Sequence, residues 1–428
     1  MEALQRIFKP IIYLALMSLC LYLAQAAQEL TFGIAVISLF FLGVWLLITL
    51  MFGLNFRVSL IFSTLFLIKP FIPTFYAMLA LLAFSLLTQY YQERQKLLWP
   101  FPVATTILIG TAFYGLIRSG TPDYALPYFF STAIVPTLFL VCFANSKIDV
   151  QLFDLWVRII VYINIFLAVI GVIISLLNPT KRIGSLWVTA MTINGFYLLG
   201  VFFSIALGMR EKDKRKSLFW YLGALVVFLA MVYTYTRMAL LAVFFGFFLM
   251  VFKMKRFRLI GIIILLLIPL LIPASMIDRV QQTFSFDMSI FIRVLAWYHA
   301  LKQIAAHPLF GIGISTWQTW YLNVIPFTFL YAEHPHNLFL RVFVEIGVFG
   351  FICYFWIIYR VMRDFRRRIV KPSQDNYYSV IYIGMLSLLF ACLTDVFIQQ
   401  YDLSVAFWSC IAFMYALSRQ PIEKNEDT

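Results

Sequence analysis

The chain has 428 residues, 63% of them hydrophobic and 12% charged, with a formal net charge of +14. A soluble chain needs far more polar surface to cover itself, so this composition excludes a water-soluble globular fold. The basic residues fall in short clusters between apolar spans, which sets aside nucleic acid as a partner and assigns them to membrane orientation.

With about 20 apolar residues taken as one bilayer crossing, helices are expected near 10–27, 30–52, 58–72, 74–91, 101–118, 126–144, 151–177, 187–208, 217–235, 238–252, 259–275, 338–360, 377–394 and 402–418. The chain thus reads as an all-α polytopic membrane bundle of about 12–14 transmembrane helices. The N-terminus imitates a signal peptide, with Arg6 and Lys9 before an apolar run and Ala24, Gln25 and Ala26 as a cleavage-like site. That run leads directly into a second span, which favours a retained first helix. All five cysteines (Cys20, Cys142, Cys353, Cys392 and Cys410) lie in apolar spans, so neither a disulfide framework nor a zinc site is expected.

With a cytoplasmic N-terminus and alternating spans, nine of the 33 Lys and Arg fall outside: Lys69, Arg118, Lys181, Arg182, Arg237, Arg279, Arg293, Lys302 and Arg341. The rest lie inside, among them the runs at 210–216, 253–258 and 366–368. This bias agrees with the positive-inside tendency. The chain divides into an N-terminal transmembrane bundle (1–275), an outer, periplasmic loop (276–337), C-terminal transmembrane helices (338–418) and a cytoplasmic tail (419–428). The loop is too long for a turn. Within it, Ile290, Val294, Trp297, Leu301 and Ile304 form a helical stripe over 288–306, with Arg293 and Lys302 off it, which predicts an amphipathic helix.

Three constellations are candidates for chemistry. Arg182, Arg237 and Arg293 sit at the outer edge, where the planar guanidinium grips phosphate oxygens in pairs. Snorkelling to headgroups, or pairing with Asp278, Asp287 or Glu333, is the competing account. The run from Glu333 to Glu345 enters an apolar helix. There His336 is suited to accept a proton near neutral pH, or alternatively the segment only caps the helix through Asn337. His334, Asn337 and Glu345 are supporting candidates, Glu345 because charge inside a span is costly, although Arg341 one turn earlier offers neutralisation. Glu333, His334 and His336 around a proline lack metal-ligand spacing, so no metal is expected. The third is His307-Pro308-Leu309-Phe310-Gly311-Ile312-Gly313, a helix stop and turn rather than a nucleotide cradle.

Residues 292–315 followed by 334–351 resemble the signature of the O-antigen ligase and polymerase superfamily: an arginine, a tryptophan, His-Pro-x-x-Gly-x-Gly, then His-Asn opening a helix with Glu-x-Gly. More loosely, 234–243 is similar to the family's Ser-Arg-Gly segment, with Thr236 and Met238 as departures, and 182–198 to its Arg-Gly and Asn segment. The resemblance implies a GT-C-like, inverting glycosyltransferase of the bacterial inner membrane that needs no metal or other cofactor. Its donor would be an undecaprenyl-diphosphate-linked glycan, and its acceptor lipid A core (ligase) or another lipid-linked glycan (polymerase). His336 would be the base or acceptor-positioning residue, Arg293 would serve catalysis, and Arg182, Arg237 and Arg293 would hold the diphosphate. A flippase or other transporter is the alternative from another class; it should show paired broken helices, a repeated half-structure and midplane charges, none of which is evident in this sequence.

Overall fold

The computed structural model describes residues 56–420 apart from 71, 94–95, 178–184, 188, 254–287, 326 and 374–375. The expected spans at 10–27, 30–52 and 259–275 lie outside the described residues, as do Arg182 and Arg279. Described elements are helices and turns, with no strand among them, so the chain is an all-α polytopic helical bundle. The chain forms two compact units, up to Leu97 and from Leu98. In the first, α1 (Phe56–Leu65) pairs with α2 (Ile72–Glu93).

The second unit holds α3 (Pro102–Ile117), α4 (Pro122–Phe129), α5 (Val135–Ala144), α6 (Val150–Leu177), α7 (Ala190–Arg210), α8 (Lys214–Tyr233) and α9 (Arg237–Lys253). They are followed by α10 (Met288–Ala306), α11 (Thr316–Val324), α12 (Leu338–Phe365), α13 (Asn376–Ala391) and α14 (Tyr401–Arg419). Starts follow local chemistry: proline opens α3 and α4, where no N–H is needed, and Thr189, Asp213 and Asn337 cap α7, α8 and α12 with side-chain oxygens. Helices α7 and α14 form the interior and bury nearly every residue. Against the expected count, six stretches among the described residues are long and apolar enough to cross a membrane: Tyr124–Ala144, Val150–Leu177, Ala190–Arg210, Lys214–Tyr233, Leu338–Val370 and Tyr401–Arg419. The other expected spans there form shorter or less apolar helices.

The span expected at 338–360 is not one straight helix. Gly347 breaks it with φ +69° and ψ −173°. Phe343 stacks on Phe351 with centroids 5.1 Å apart, and Phe339 on Phe355 at 4.5 Å. A continuous helix would separate residues 339 and 355 by about 24 Å, so 338–346 must fold back against 348–365 as a hairpin. The loop after α10 fills the break. Ile312 N–H donates to Val344 O (2.8 Å), Gly313 N–H to Glu345 O (3.2 Å) and Val348 N–H to Pro308 O (2.8 Å), which satisfies backbone groups that the break would orphan. A Cβ on Gly347 would lie 2.1 Å from Leu309 O, and one on Gly311 would lie 2.4 Å from Val344 O. The His-Pro-x-x-Gly-x-Gly run is thus a plug for a broken helix.

A second irregularity faces the hairpin. Between α4 and α5 the chain forms one π turn, Phe130–Ile134, just before Pro136, which has no N–H to continue the ladder. Ser131 donates to Gln399 O (2.7 Å), and Gln399 Nε2 donates to Thr132 Oγ1 (3.0 Å).

Gly347→Ala should cost more than about 2 kcal/mol, since it combines backbone strain with overlap on Leu309. Thermal unfolding in detergent measures it, and Gly110→Ala, in open space on α3, should leave the transition close to wild type.

Candidate functional site

The loop after α10 folds into its own apolar cluster. Ala296 and Ala300 pack against Ile312, Trp317, Tyr321, Ile325, Ala332 and Val344, with Ile292, Leu295 and Ile304 at the edge. Trp317 Nε1–H donates to Ala332 O (3.0 Å) and closes the segment. Helix α10 spans the expected residues, but its packed face is Ile292, Leu295, Ala296, Ala300 and Ile304, while Val294 and Leu301 of the expected stripe are exposed. Size contributes to this: Ala296 and Ala300, both fully buried, let α10 approach the Trp317 and Tyr321 rings closely, with Ile292, Leu295 and Ile304 packed at the edge of the contact. This packing fixes Arg293, whose Nη1 donates to Ser289 O (3.2 Å) and to Ser289 Oγ (2.5 Å).

His334 and His336 meet at the start of the hairpin, with ring centroids 4.4 Å apart. His336 adopts φ +47°, a left-handed conformation that costs a residue with a Cβ about 1–3 kcal/mol and clusters at functional sites. His334 Nδ1 accepts the His336 backbone N–H (3.2 Å), so His334 carries its proton on Nε2, which faces Asp395 Oδ1 at 3.9 Å. His336 Nδ1 is buried without a hydrogen-bond partner in the protein. Burial, then the charges of Arg293 and Arg341, lowers His336 to about 4. Burial also pushes His334 well below its ordinary value, with His336, Arg341 and Arg293 adding to the effect. Both imidazoles are therefore neutral at pH 7, and His336 keeps an unshared lone pair or N–H for a guest. Asn337 caps α12, its Oδ1 accepting from Leu340 N–H (3.1 Å) while its Nδ2 donates to Leu393 O (2.8 Å). Capping by Asn337 thus coexists with an unpartnered imidazole nitrogen on His336.

Glu345 is the hub beneath. Its Oε1 accepts from Arg341 Nε (3.0 Å) and from Ser315 N–H (3.3 Å), and its Oε2 accepts from Gln399 Nε2 (2.7 Å). The anticipated Arg341 pairing is present and wholly buried. Arg341 also lies over the Tyr128 ring at 4.2 Å, and its Nη1 is buried without a partner in the protein.

Of the sequence candidates, the structure gathers His336, His334, Asn337, Glu345 and Arg293. Arg237 opens α9, half-buried, after Tyr235 in a left-handed conformation. Its neighbours join the two weaker sequence segments: Asn194 donates to Thr236 Oγ1 (2.9 Å) and accepts from Thr234 Oγ1 (3.0 Å). Arg341, Tyr128, Asp395 and Gln399 are additional. In the sequence Arg341 stands among the outer basic residues and as the i,i+4 partner of Glu345, whereas Tyr128 comes from α4 and Asp395 and Gln399 from the connection between α13 and α14. Glu333, considered beside the histidines, is exposed, and Asp395 takes the position near them. Donor atoms of His334, His336 and Asp395 lie within 4.8 Å of one another, a spacing that a metal ion can bridge. Two guanidinium groups close enough to depress the histidines oppose a cation there and favour an anion.

Residues 222–355 match the model of a family described as O-antigen ligase. No curated protein matches the chain. The matched stretch runs from α8 through the plug and both arms of the hairpin as far as Phe355, and so includes Arg237, Arg293, His336, Arg341 and Glu345.

Glu345→Ala leaves Arg341 buried and unpaired and should cost about 3–5 kcal/mol. Replacing both by glutamine removes two charges at similar volume and should cost much less; thermal unfolding of the two variants separates these outcomes.

Proposed function

We propose that this chain, whose residues 222–355 match the O-antigen ligase family, is a glycosyltransferase that transfers a glycan from undecaprenyl diphosphate to an acceptor hydroxyl at the periplasmic face of the bacterial inner membrane. The observation that carries the reading is the pairing of a neutral His336, its Nδ1 unpartnered, with the guanidinium groups of Arg293 and Arg341.

In this account the acceptor oxygen attacks the anomeric carbon and the bond from that carbon to the diphosphate oxygen breaks. The diphosphate leaves with the electron pair, and configuration inverts. His336 takes the hydroxyl proton. Arg293 and Arg341 hold the oxygens on which charge develops, with Arg237 and Arg182 proposed to complete the grip. The guanidiniums have a second effect. At about 4, free His336 is a weak base, but a bound diphosphate offsets the two positive charges and raises the imidazole's basicity. General-base capacity then develops when donor is present. Glu345 orients Arg341, and Asp395 with His334 holds the backbone of His336. The reading assigns lipid A core as acceptor.

Loss of the gene should remove the lipid A-linked polysaccharide ladder while lipid-linked polymer accumulates. Lipid A core bearing a single repeat would make the protein a polymerase instead, and an unchanged surface polysaccharide would remove both. With purified protein, His336→Ala should lower transfer by about 10²–10⁴-fold, and Arg341→Gln by about 10-fold or more, the value of one charge-assisted hydrogen bond. Both should insert normally in the membrane.

The pH profile offers an independent check. A base with a lowered pKa stays deprotonated further into acid, so kcat/KM should fall only through about 4. In Arg293→Gln the acidic limb should move up toward the ordinary 6.5 of histidine.

A further inference from the structure

Away from the histidines, α12 and α13 enclose a groove of about 470 Å³. One part is apolar, with Phe339, Phe355, Ile358, Met362, Leu386 and Leu389; at the other end stand Arg363, Arg366, Arg367 and Lys371. From Phe355 to Arg366 the helix advances about 16 Å, close to the roughly 15 Å hydrocarbon depth of one bilayer leaflet. Length and polarity therefore match a lipid chain lying along the helix with its headgroup at the basic end.

The charge balance there is one-sided. Asp364 is shared by Arg363, whose Nη2 is 2.9 Å from Oδ1, and by Arg360 at 3.8 Å. Among the described residues no carboxylate pairs with Arg366, Arg367 or Lys371, and the Lys253 ammonium lies 5.4 Å from the ring of Tyr382, which also lines the groove. Several like charges held at one rim repel one another unless an anion sits among them. Cations that only orient the chain need no apolar channel leading away from them.

We infer that this groove is a binding site for one anionic phospholipid, its phosphate held by Arg366, Arg367 and Lys371 and an acyl chain laid against Phe355, Ile358, Met362, Leu386 and Leu389. The site is separate from the proposed transfer chemistry. Its inner end is Phe339, three residues after His336, which stacks on Phe355 across the hairpin. A chain in the groove would brace the arm that carries the histidine.

The test uses the full chain in a neutral detergent and compares phosphatidylglycerol, phosphatidylcholine with the same acyl chains, and inorganic phosphate, by native mass spectrometry and thermal unfolding. Phosphatidylglycerol should bind and raise the unfolding temperature, whereas phosphatidylcholine and phosphate should have little effect. The exposed triple variant Arg366→Gln, Arg367→Gln, Lys371→Gln should bind phosphatidylglycerol about 100-fold more weakly, as three cations near an anionic surface each contribute about fivefold. Leu386→Trp, which fills the apolar part and leaves the cations, should also abolish the response. Equal binding of the two lipids, a response to phosphate as large as to lipid, or a triple variant that binds like wild type would each overturn the assignment.

Discussion

The plug at Gly347 is the constraint on which the site depends. A helix interrupted inside an apolar bundle leaves carbonyls and an N–H without partners, a cost of several kcal/mol for each group if nothing replaces them. Backbone from 308–313 replaces them, and glycine at 311 and 347 lets the two chains approach closely enough. Because the break is filled by peptide rather than by a side chain, 338–346 folds back and α10 is tied to the same point. His336, Arg341 and Glu345 ride on the short arm and Arg293 on α10, so one backbone interlock positions groups from both.

Electrostatics then determine what the assembled residues can do. A buried guanidinium and carboxylate in contact are weak evidence for stability, since desolvation consumes most of their attraction. Glu345 is nevertheless fully engaged by three donors, whereas Arg341 keeps Nη1 without a partner and faces Tyr128. The asymmetry leaves unsatisfied donor capacity in the cationic member. Together with Arg293 and two neutral imidazoles, it favours an anionic guest, which is the type of ligand that a diphosphate leaving group would supply.

Much of this was legible in the chain before folding. Apolar spans locate most helices within a few residues, and α10 runs over the expected 288–306, because membrane burial leaves a strong compositional trace. The linked motif also pointed to Arg293, His336 and Glu345. What the sequence could not disclose was geometry: a Glu-x-Gly run inside an apolar stretch looks the same whether the glycine continues a helix or reverses it. The apolar stripe of α10 did not tell which of its residues pack against the protein, since Val294 and Leu301 are exposed while Ala296 and Ala300 are buried. Asp395 and Gln399 stand on the connection between α13 and α14, and only the fold brings that connection beside His334 and Glu345.

The most direct measurement is the ionisation of His336 itself, followed by NMR of the protein with ¹⁵N-labelled histidine, with and without a short-chain prenyl diphosphate. The account predicts a value near 4 in the free protein and a clear upward move when the diphosphate is bound. A histidine that titrates at the same pH in both states would contradict it.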